Sequence, residues 1–373
     1  MLTVYTNAPF WTGATASEHR RALLDVARWS EEAGCRGALI PSDNEQPDPW
    51  ATAQLIVANT DRFIPLVAVN PVYMHPFTAA QMVSTLGFLY HRTVDINLVS
   101  GGFAPHLRRL GCRLDHEQRY ERLTEYGQIM KNLLAGNQPT TQKGSYYSVR
   151  AATLARPMDS EVVPRIYVSG SSEDCLRIAQ SVGISRLTYA REPGAYAGET
   201  PLAGCGLRLG IIAREDSDTA WHEAHLRFPY DLAGEQSHDL AIASNVVESH
   251  WHKQQSLDAM ASTEPNGAYW LYPFRAYRTF APYLVGSYEE VGSAFARYRE
   301  LGAESVVLDG TCDPYELYHT FTALALSEPS TTTGRRGLER GAGTSCGAGG
   351  AVTVMRDLAS KVGDDSSPAS PEG

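Results

Sequence analysis

The chain has 373 residues, a formal net charge of -10, 43% hydrophobic and 20% charged residues. That balance belongs to a globular protein with one large core or two ordinary ones, and it excludes a general nucleic-acid binder, which needs a basic face. No apolar run approaches the roughly eighteen residues of a transmembrane helix, so no membrane partner is expected either.

The N-terminus, "MLTVYTNAPFW", lacks the basic-then-apolar order of a signal peptide. It reads as a first strand over 3–9, and a cytoplasmic location is expected. "SEHRRALLDVARWSEEAG" follows as a helix, with Ser17 as its cap, an apolar stripe at Leu23, Leu24, Val26 and Ala27, and Gly34 as its stop. Strands are then predicted over 37–42, 63–70, 95–101, 165–170, 184–190, 207–214 and 305–310, eight in all. They are apolar with little alternation, as parallel strands covered on both faces are. Alternation of such strands with helical patterns predicts an α/β fold, a (β/α)8 TIM barrel over 1–328. The long interruptions 102–160 and 215–304 belong at the C-terminal mouth, where barrels build their active sites. From Pro329 the chain turns to Ser, Thr and Gly, so 329–373 is expected to be a low-complexity, disordered tail with "AVTVMRDLAS" as a short helix. The six cysteines contain no CxxC pair, and no metal site is predicted; the histidines of "HWH", His250 and His252, are expected on a solvated helix.

Three stretches suggest a ligand. In "DINLVSGG" an amide, Asn97, interrupts a buried run that ends at paired glycines; the alternatives are a bound ligand and a simple strand-to-loop turn. In "DHEQRYERLTEY" a helix would put His116 and Tyr120 on one face beside Arg119, either as a clamp for phosphate or ribityl oxygens or as an Asp115-capped helix with Tyr120 packed on the barrel. In "RIYVSGSSEDCLRIAQSVG" a strand runs through Gly170, Ser171 and Ser172 into a helix. One serine can cap that helix, and the free N–H groups there also suit a phosphate.

Taken in order, "LIPS", "NPVYMHPFTAAQMVSTL", "INLVSGG", "LDHEQRYE", "VSGSSED", "LTYAREP" and "LVGSYEEV" resemble the bacterial-luciferase-like flavin monooxygenases, and among them the alkanesulfonate monooxygenase branch, over residues 17–328. The resemblance implies a barrel that binds reduced FMN at its C-terminal mouth and, with molecular oxygen, uses a flavin C4a-peroxide to oxidise a small organic substrate. Asn97 and Ser100 would then face the ring edge or ribityl, Asn70 would face the cofactor, and His116, Tyr120, Gly170, Ser171 and Ser172 would hold the phosphate side. Arg208 matches an arginine near the reacting end, with a salt bridge to Asp309 or Glu215 as its structural alternative, and Tyr189 stands where the branch carries Trp. Arg275 and Arg278 lie near a mobile-loop arginine of that branch. No GxGxxG fingerprint follows the first strands, so the resemblance also implies a separate NAD(P)H:flavin reductase as partner, and a homodimer or tetramer.

This chain departs from the branch in three places. Gln46 aligns with its cysteine, Gly210 with its histidine, and the segment between Pro193 and Leu207 is shorter, as if a barrel helix had been trimmed. A simple alkanesulfonate is therefore not the expected substrate; a bulkier or less acidic molecule, such as a specialised metabolite, is. Two other readings stay open: an F420-dependent hydride-transfer enzyme on the same barrel, and a non-catalytic flavin-binding protein.

Overall fold

The computed structural model describes residues 2–327 apart from 103, 157, 159–161, 200, 245–249, 262–263 and 311; the expected tail and its short helix lie outside the described residues. Eight parallel strands close into a barrel: β1 (Thr3–Asn7), β2 (Gly37–Ile40), β3 (Ile64–Val69), β4 (Asp95–Leu98), β7 (Ile166–Ser169), β8 (Ser185–Tyr189), β9 (Cys205–Arg214) and β12 (Ala303–Asp309), in that order around the ring. β12 pairs back onto β1 and β8 onto β9, so the barrel has no free edge. All eight predicted strands are present.

The helices are α1 (Ala16–Glu32), α2 (Pro49–Val57), α3 (Pro76–Tyr90), α4 (Ala104–Arg109), α5 (His116–Ala135), α6 (Glu173–Val182), α7 (Ser217–Arg227), α8 (Leu232–Ala243), α9 (His250–Ala261), α10 (Tyr272–Arg275), α11 (Tyr288–Glu300) and α12 (Pro314–Leu326). An antiparallel hairpin, β5 (Thr140–Lys143) and β6 (Ser148–Ala152), follows α5. Near the mouth β11 (Tyr283–Ser287) becomes β9's neighbour where β8 ends, and β10 (Tyr269–Trp270) pairs antiparallel to β11. Both long interruptions contain an ordinary barrel helix, α5 and α11. The added matter is α4 with the hairpin in the first, and α7 to α10 with β10 and β11 in the second. Between β8 and β9 the described residues form only a 3-10 turn, Pro193–Ala195, so this barrel unit has lost its helix as the sequence suggested.

Helix ends follow side-chain chemistry. α1 is capped by Thr15 rather than Ser17: Thr15 and Glu18 make a reciprocal capping box, whereas Ser17 would face Arg20 at the equivalent position. α5 is capped by Asp115 and ended by Gly136 in the left-handed region.

Strand alternation divides the core in two. Outward residues such as Val67, Ile96, Leu98, Val168 and Leu207 meet the helices. Inward residues Tyr5, Leu39, Leu66, Ala68, Tyr167, Leu187 and Val307 form an apolar plug inside the barrel. Below the plug sits a buried polar knot. Asp95, fully buried, accepts from Tyr5 Oη at 2.6 Å, from Arg36 Nε and Nη2 at 2.6 and 3.1 Å, and from the Arg165 backbone N–H at 2.7 Å. All its lone pairs face donors, as a buried carboxylate requires.

Two consequences can be measured. Removing one member of a buried ion pair leaves the other uncompensated, so Asp95→Ala should lower the unfolding free energy by about 3–5 kcal/mol in a denaturant titration at neutral pH. A loss under about 1 kcal/mol would show that the knot is dispensable. Acid should also destabilise the fold. Burial lowers His252 on α9 and His319 on α12 to about 4, against 6.5 for a free histidine. The unfolded chain then binds more protons below pH 6.5, so this stabilising contribution is intact above that pH and is lost as pH falls towards 4. The melting temperature should drop over that window, and less steeply in His319→Gln; a flat profile between pH 7 and 5 would contradict this.

Candidate active site at the barrel mouth

A cavity of about 310 Å³ opens at the C-terminal ends of the strands. Its floor is the top of the apolar plug, Leu39, Ala68 and Leu187. Above it the inward positions turn polar: Asn7, Asn70, Asn97, Ser169, Tyr189 and Arg208. A larger cavity, of about 1040 Å³, lies around Thr3, Arg165, Ser185 and Ser305 at the N-terminal ends of the strands, the wrong end of a barrel for chemistry.

Of the residues singled out in the sequence, Asn70, Asn97, Ser100, His116, Tyr120, Gly170, Tyr189 and Arg208 all line the mouth cavity. Asn97 Oδ1 accepts from Ser169 Oγ at 2.8 Å, while its NH2 group bonds to no described residue. Ser169 directly precedes Gly170, so the amide and the Gly-Ser-Ser turn share one wall. Asn70 Oδ1 accepts from the Val72 N–H at 3.1 Å, which shapes the turn after β3. The Tyr120 hydroxyl, its pKa raised by burial, lies within hydrogen-bonding reach of the Ser172 and Ser100 side chains. His116 packs its ring 4.8 Å from that of Tyr120 and stands 3.9 Å from Asp174, and Arg119, buried, borders the same end. Gly170 has a φ of +152°, and a Cβ there would stand 3.0 Å from Tyr120 Oη and 3.1 Å from Cys175 Cβ. Only glycine lets this turn approach the tyrosine.

Ser171 and Ser172 are set back from the cavity lining. Ser172 caps α6, its Oγ accepting from the Cys175 N–H at 3.3 Å, and the Ser171 Oγ is buried without a hydrogen-bond partner among the described residues. A buried orphan hydroxyl beside a helix start is what a ligand oxygen would satisfy.

At the other end the Arg208 guanidinium lies over the Tyr189 ring at 4.7 Å, and the Trp251 ring stacks on Tyr189 at 3.9 Å. The anticipated alternative, a salt bridge from Arg208, is not formed among the described residues. Asp309 instead accepts from Thr279 Oγ1 at 2.5 Å, Tyr283 Oη at 3.2 Å and Asn7 Nδ2 at 3.3 Å. Arg208 Nε is buried without a hydrogen-bond partner among the described residues, so the cation's remaining hydrogen-bonding capacity is available to the cavity it lines.

Arg275, Arg278, Gln46 and "HWH" are placed as follows. Arg275 and Arg278 do not line the cavity: Arg275 is paired with Asp239 and Glu235, and Arg278 with Asp231. Gln46 lies outside it too, its side chain exchanging hydrogen bonds with the Trp11 backbone. Within "HWH", His252 is not on a solvated face: it lines the cavity with Trp251 and is 1% exposed, while the His250 side chain lies outside the described residues. Phe280 joins them. α9 was hard to read because its mean hydropathy is near neutral and, of its four described buried positions, three are His252, Gln255 and Ser256, with only Ala259 apolar. Ser169 and Asn7, by contrast, could have been found from period-two alternation, since each lies an even number of residues above a plug residue on its strand.

Gly210 has a local explanation. A Cβ there would fall 2.2 Å from Tyr283 Cε1, because the Tyr283 ring lies across the glycine on its way to Asp309. Tyrosine from β11 fills the space that a side chain on β9 would take.

The first 305 residues match the family model of luciferase-like monooxygenases. A curated relative, the 4-(gamma-L-glutamylamino)butanoyl-[BtrI acyl-carrier protein] monooxygenase BtrO of Niallia circulans, is 30% identical over 313 residues, 81% of this chain and 90% of the relative. Among solved structures, the EDTA monooxygenase EmoA of Chelativorans sp. BNC1 superposes with a TM-score of 0.67 at 13% identity, covering 87% of this chain and 93% of that one. An F420-dependent secondary alcohol dehydrogenase superposes with a TM-score of 0.60 at 16% identity, covering 88% and 99%. At such identities the two structures share the fold alone. The family match and the curated relative establish that this chain belongs to the luciferase-like monooxygenase family.

Proposed function

We propose that this monooxygenase takes reduced FMN from a separate NAD(P)H:flavin reductase and oxidises a specialised metabolite in the mouth cavity. The observation that carries this reading is the meeting of Asn97, Ser100, Tyr120 and Gly170 on one wall with Arg208 and Tyr189 facing the same space. Reduced flavin, when bound, supplies the oxygen-activating chemistry. The protein's own share is to bind, orient and keep water out. Tyr120, Ser100, Ser171, His116 and Arg119 would hold the phosphate and ribityl end, and the free NH2 of Asn97 would donate to the ring. Arg208, half-buried over an aromatic face and without an ion-pair partner among the described residues, would meet negative charge at the reacting end. Trp251, Tyr189 and Phe280 would shield that end from solvent.

FMN is favoured over F420 because Arg119 and His116, enough for one phosphate, are the cationic or basic side chains that line the described cavity beside the Gly-Ser-Ser turn, with no run of Lys or Arg among the described lining residues there. Asp174 and Glu173 stand in the first turn of α6, where an F420 polyglutamate tail would want positive charge. That Tyr283 occupies the volume of the missing histidine supports a substrate other than a simple alkanesulfonate. The curated relative acts on a 4-(gamma-L-glutamylamino)butanoyl group borne by an acyl-carrier protein, which supports a specialised metabolite here.

Anaerobic fluorescence titration with FMNH2, and aerobic titration with FMN and F420, should rank FMNH2 first. Ser171→Ala and Tyr120→Phe should each weaken FMNH2 by about five- to tenfold, the worth of one hydrogen bond to a buried or charged group. Preference for F420, or no effect of either variant, would refute the assignment of this wall. Because the Tyr283 ring covers Gly210, Gly210→His should cost about 1–3 kcal/mol of stability through overpacking. Adding Tyr283→Ala should recover part of that loss. If Gly210→His alone is neutral in a thermal melt, Tyr283 does not fill the space as described.

A further inference from the structure

His252 stands at the end of a hydrogen-bonded chain that no role described so far uses. His238 Nδ1 lies 3.1 Å from the Arg275 carbonyl oxygen, His238 Nε2 lies 2.8 Å from Ser256 Oγ, and Ser256 Oγ lies 3.4 Å from His252 Nδ1. His238, Ser256 and His252 are each no more than 1% exposed. The fourth nitrogen in the chain, His252 Nε2, is buried without a hydrogen-bond partner among the described residues, on a ring that lines the mouth cavity.

The carbonyl at one end fixes every proton. A carbonyl only accepts, so His238 carries its proton on Nδ1 and donates it to Arg275. Neutral His238 then accepts at Nε2, and the donor there among the described residues is the Ser256 hydroxyl. With its hydrogen spent, Ser256 Oγ can offer His252 only a lone pair, so His252 carries its proton on Nδ1. What remains at His252 Nε2 is a lone pair.

The surroundings keep both rings neutral. Phe274, Tyr277, Phe280, Trp251 and each other's rings surround them. The charge of nearby Arg275 is matched by Asp239 and Glu235. Burial lowers the pKa of both histidines.

We propose that His252 is a specificity-determining residue: its Nε2 lone pair accepts a hydrogen bond from an N–H or O–H group of the substrate, so the cavity selects an amide- or hydroxyl-bearing molecule over one lacking a donor. Arg208 and His252 would then read opposite polarities of the same substrate. The substrate half of this inference rests on the proposed use of the mouth cavity; the tautomer half does not.

The test uses the full chain with 15N-labelled histidine. Long-range 1H–15N correlation at pH 7.5, without flavin, should show His252 with Nδ1 protonated and Nε2 bare, the peak being assigned by its loss in His252→Gln. Ser256→Ala, which leaves the ring in place, should release this tautomer preference. N-butylbutanamide should shift the His252 Nε2 resonance and bind about tenfold more tightly than N-butyl-N-methylbutanamide or butyl butanoate, the cost of leaving a buried acceptor unpaired. His252→Phe should abolish that preference, and His252→Gln should retain part of it. An Nε2-protonated His252 would overturn the chain of inference at its start. Equal binding, or no binding, of the three probes would overturn the role in selection. Because neither readout needs FMN, failure of the flavin titration leaves both outcomes interpretable.

Discussion

The Asp95 knot is the constraint on which the site depends. In a β-strand the side chains alternate, so a carboxylate tied inward at the base of β4 dictates that Asn97 points inward one layer higher and Val99 one layer above that. Asp95 gathers Tyr5 of β1, Arg36 ahead of β2 and the backbone ahead of β7. Four segments around the ring are thereby held in one register. A one-residue slip of β4 would bury Ile96 in the plug and turn the amide out towards the helices. The polar face of the mouth is in this sense set from the opposite end of the barrel.

Above the knot the interior is layered by physical need. A closed barrel of this size is filled, not hollow, and the middle layer is Tyr5, Leu39, Leu66, Tyr167, Leu187 and Val307. This plug keeps water from reaching the mouth from below. The next layer can then carry Asn97, Ser169, Asn70 and Arg208, polar groups that are only half satisfied by the protein. Their remaining hydrogen-bonding capacity is directed into the cavity, and the aromatic side chains of α9 and the segment after α10 cover it.

Much of this was readable from the chain because it rests on local rules. Eight apolar runs, their order and the asparagine in "DINLVSGG" need only strand alternation and turn chemistry. Cap assignments were less secure where two candidates compete: Thr15 wins over Ser17 because only it has a glutamate three residues on, and Ser172 wins over Ser171 because it stands directly ahead of the helix. The roof was illegible for a different reason. α9 buries histidine, glutamine and serine against aromatic side chains from a segment some twenty residues away, so neither periodicity nor composition marks its inner face. The partners of Arg275 and Arg278 could not be read either, because sequence position does not reveal a carboxylate partner, and α8 with its preceding turn supplies Glu235, Asp239 and Asp231.

The departures from the sulfonate branch read together as one exchange. Loss of a side chain at Gly210 is balanced by Tyr283, whose ring covers the glycine and whose hydroxyl helps hold Asp309. Asp309 is thereby kept on Thr279, Tyr283 and Asn7, and Arg208 two residues before Gly210 keeps no carboxylate partner among the described residues. A histidine at 210 would displace the tyrosine, free Asp309 and allow it to neutralise the arginine at the next inward layer. Keeping that cation unpaired over Tyr189 is costly unless something negative or strongly polar meets it. The glycine and the tyrosine are therefore features of the same electrostatic arrangement, and the substrate that fits it must suit an arginine without a histidine beside it.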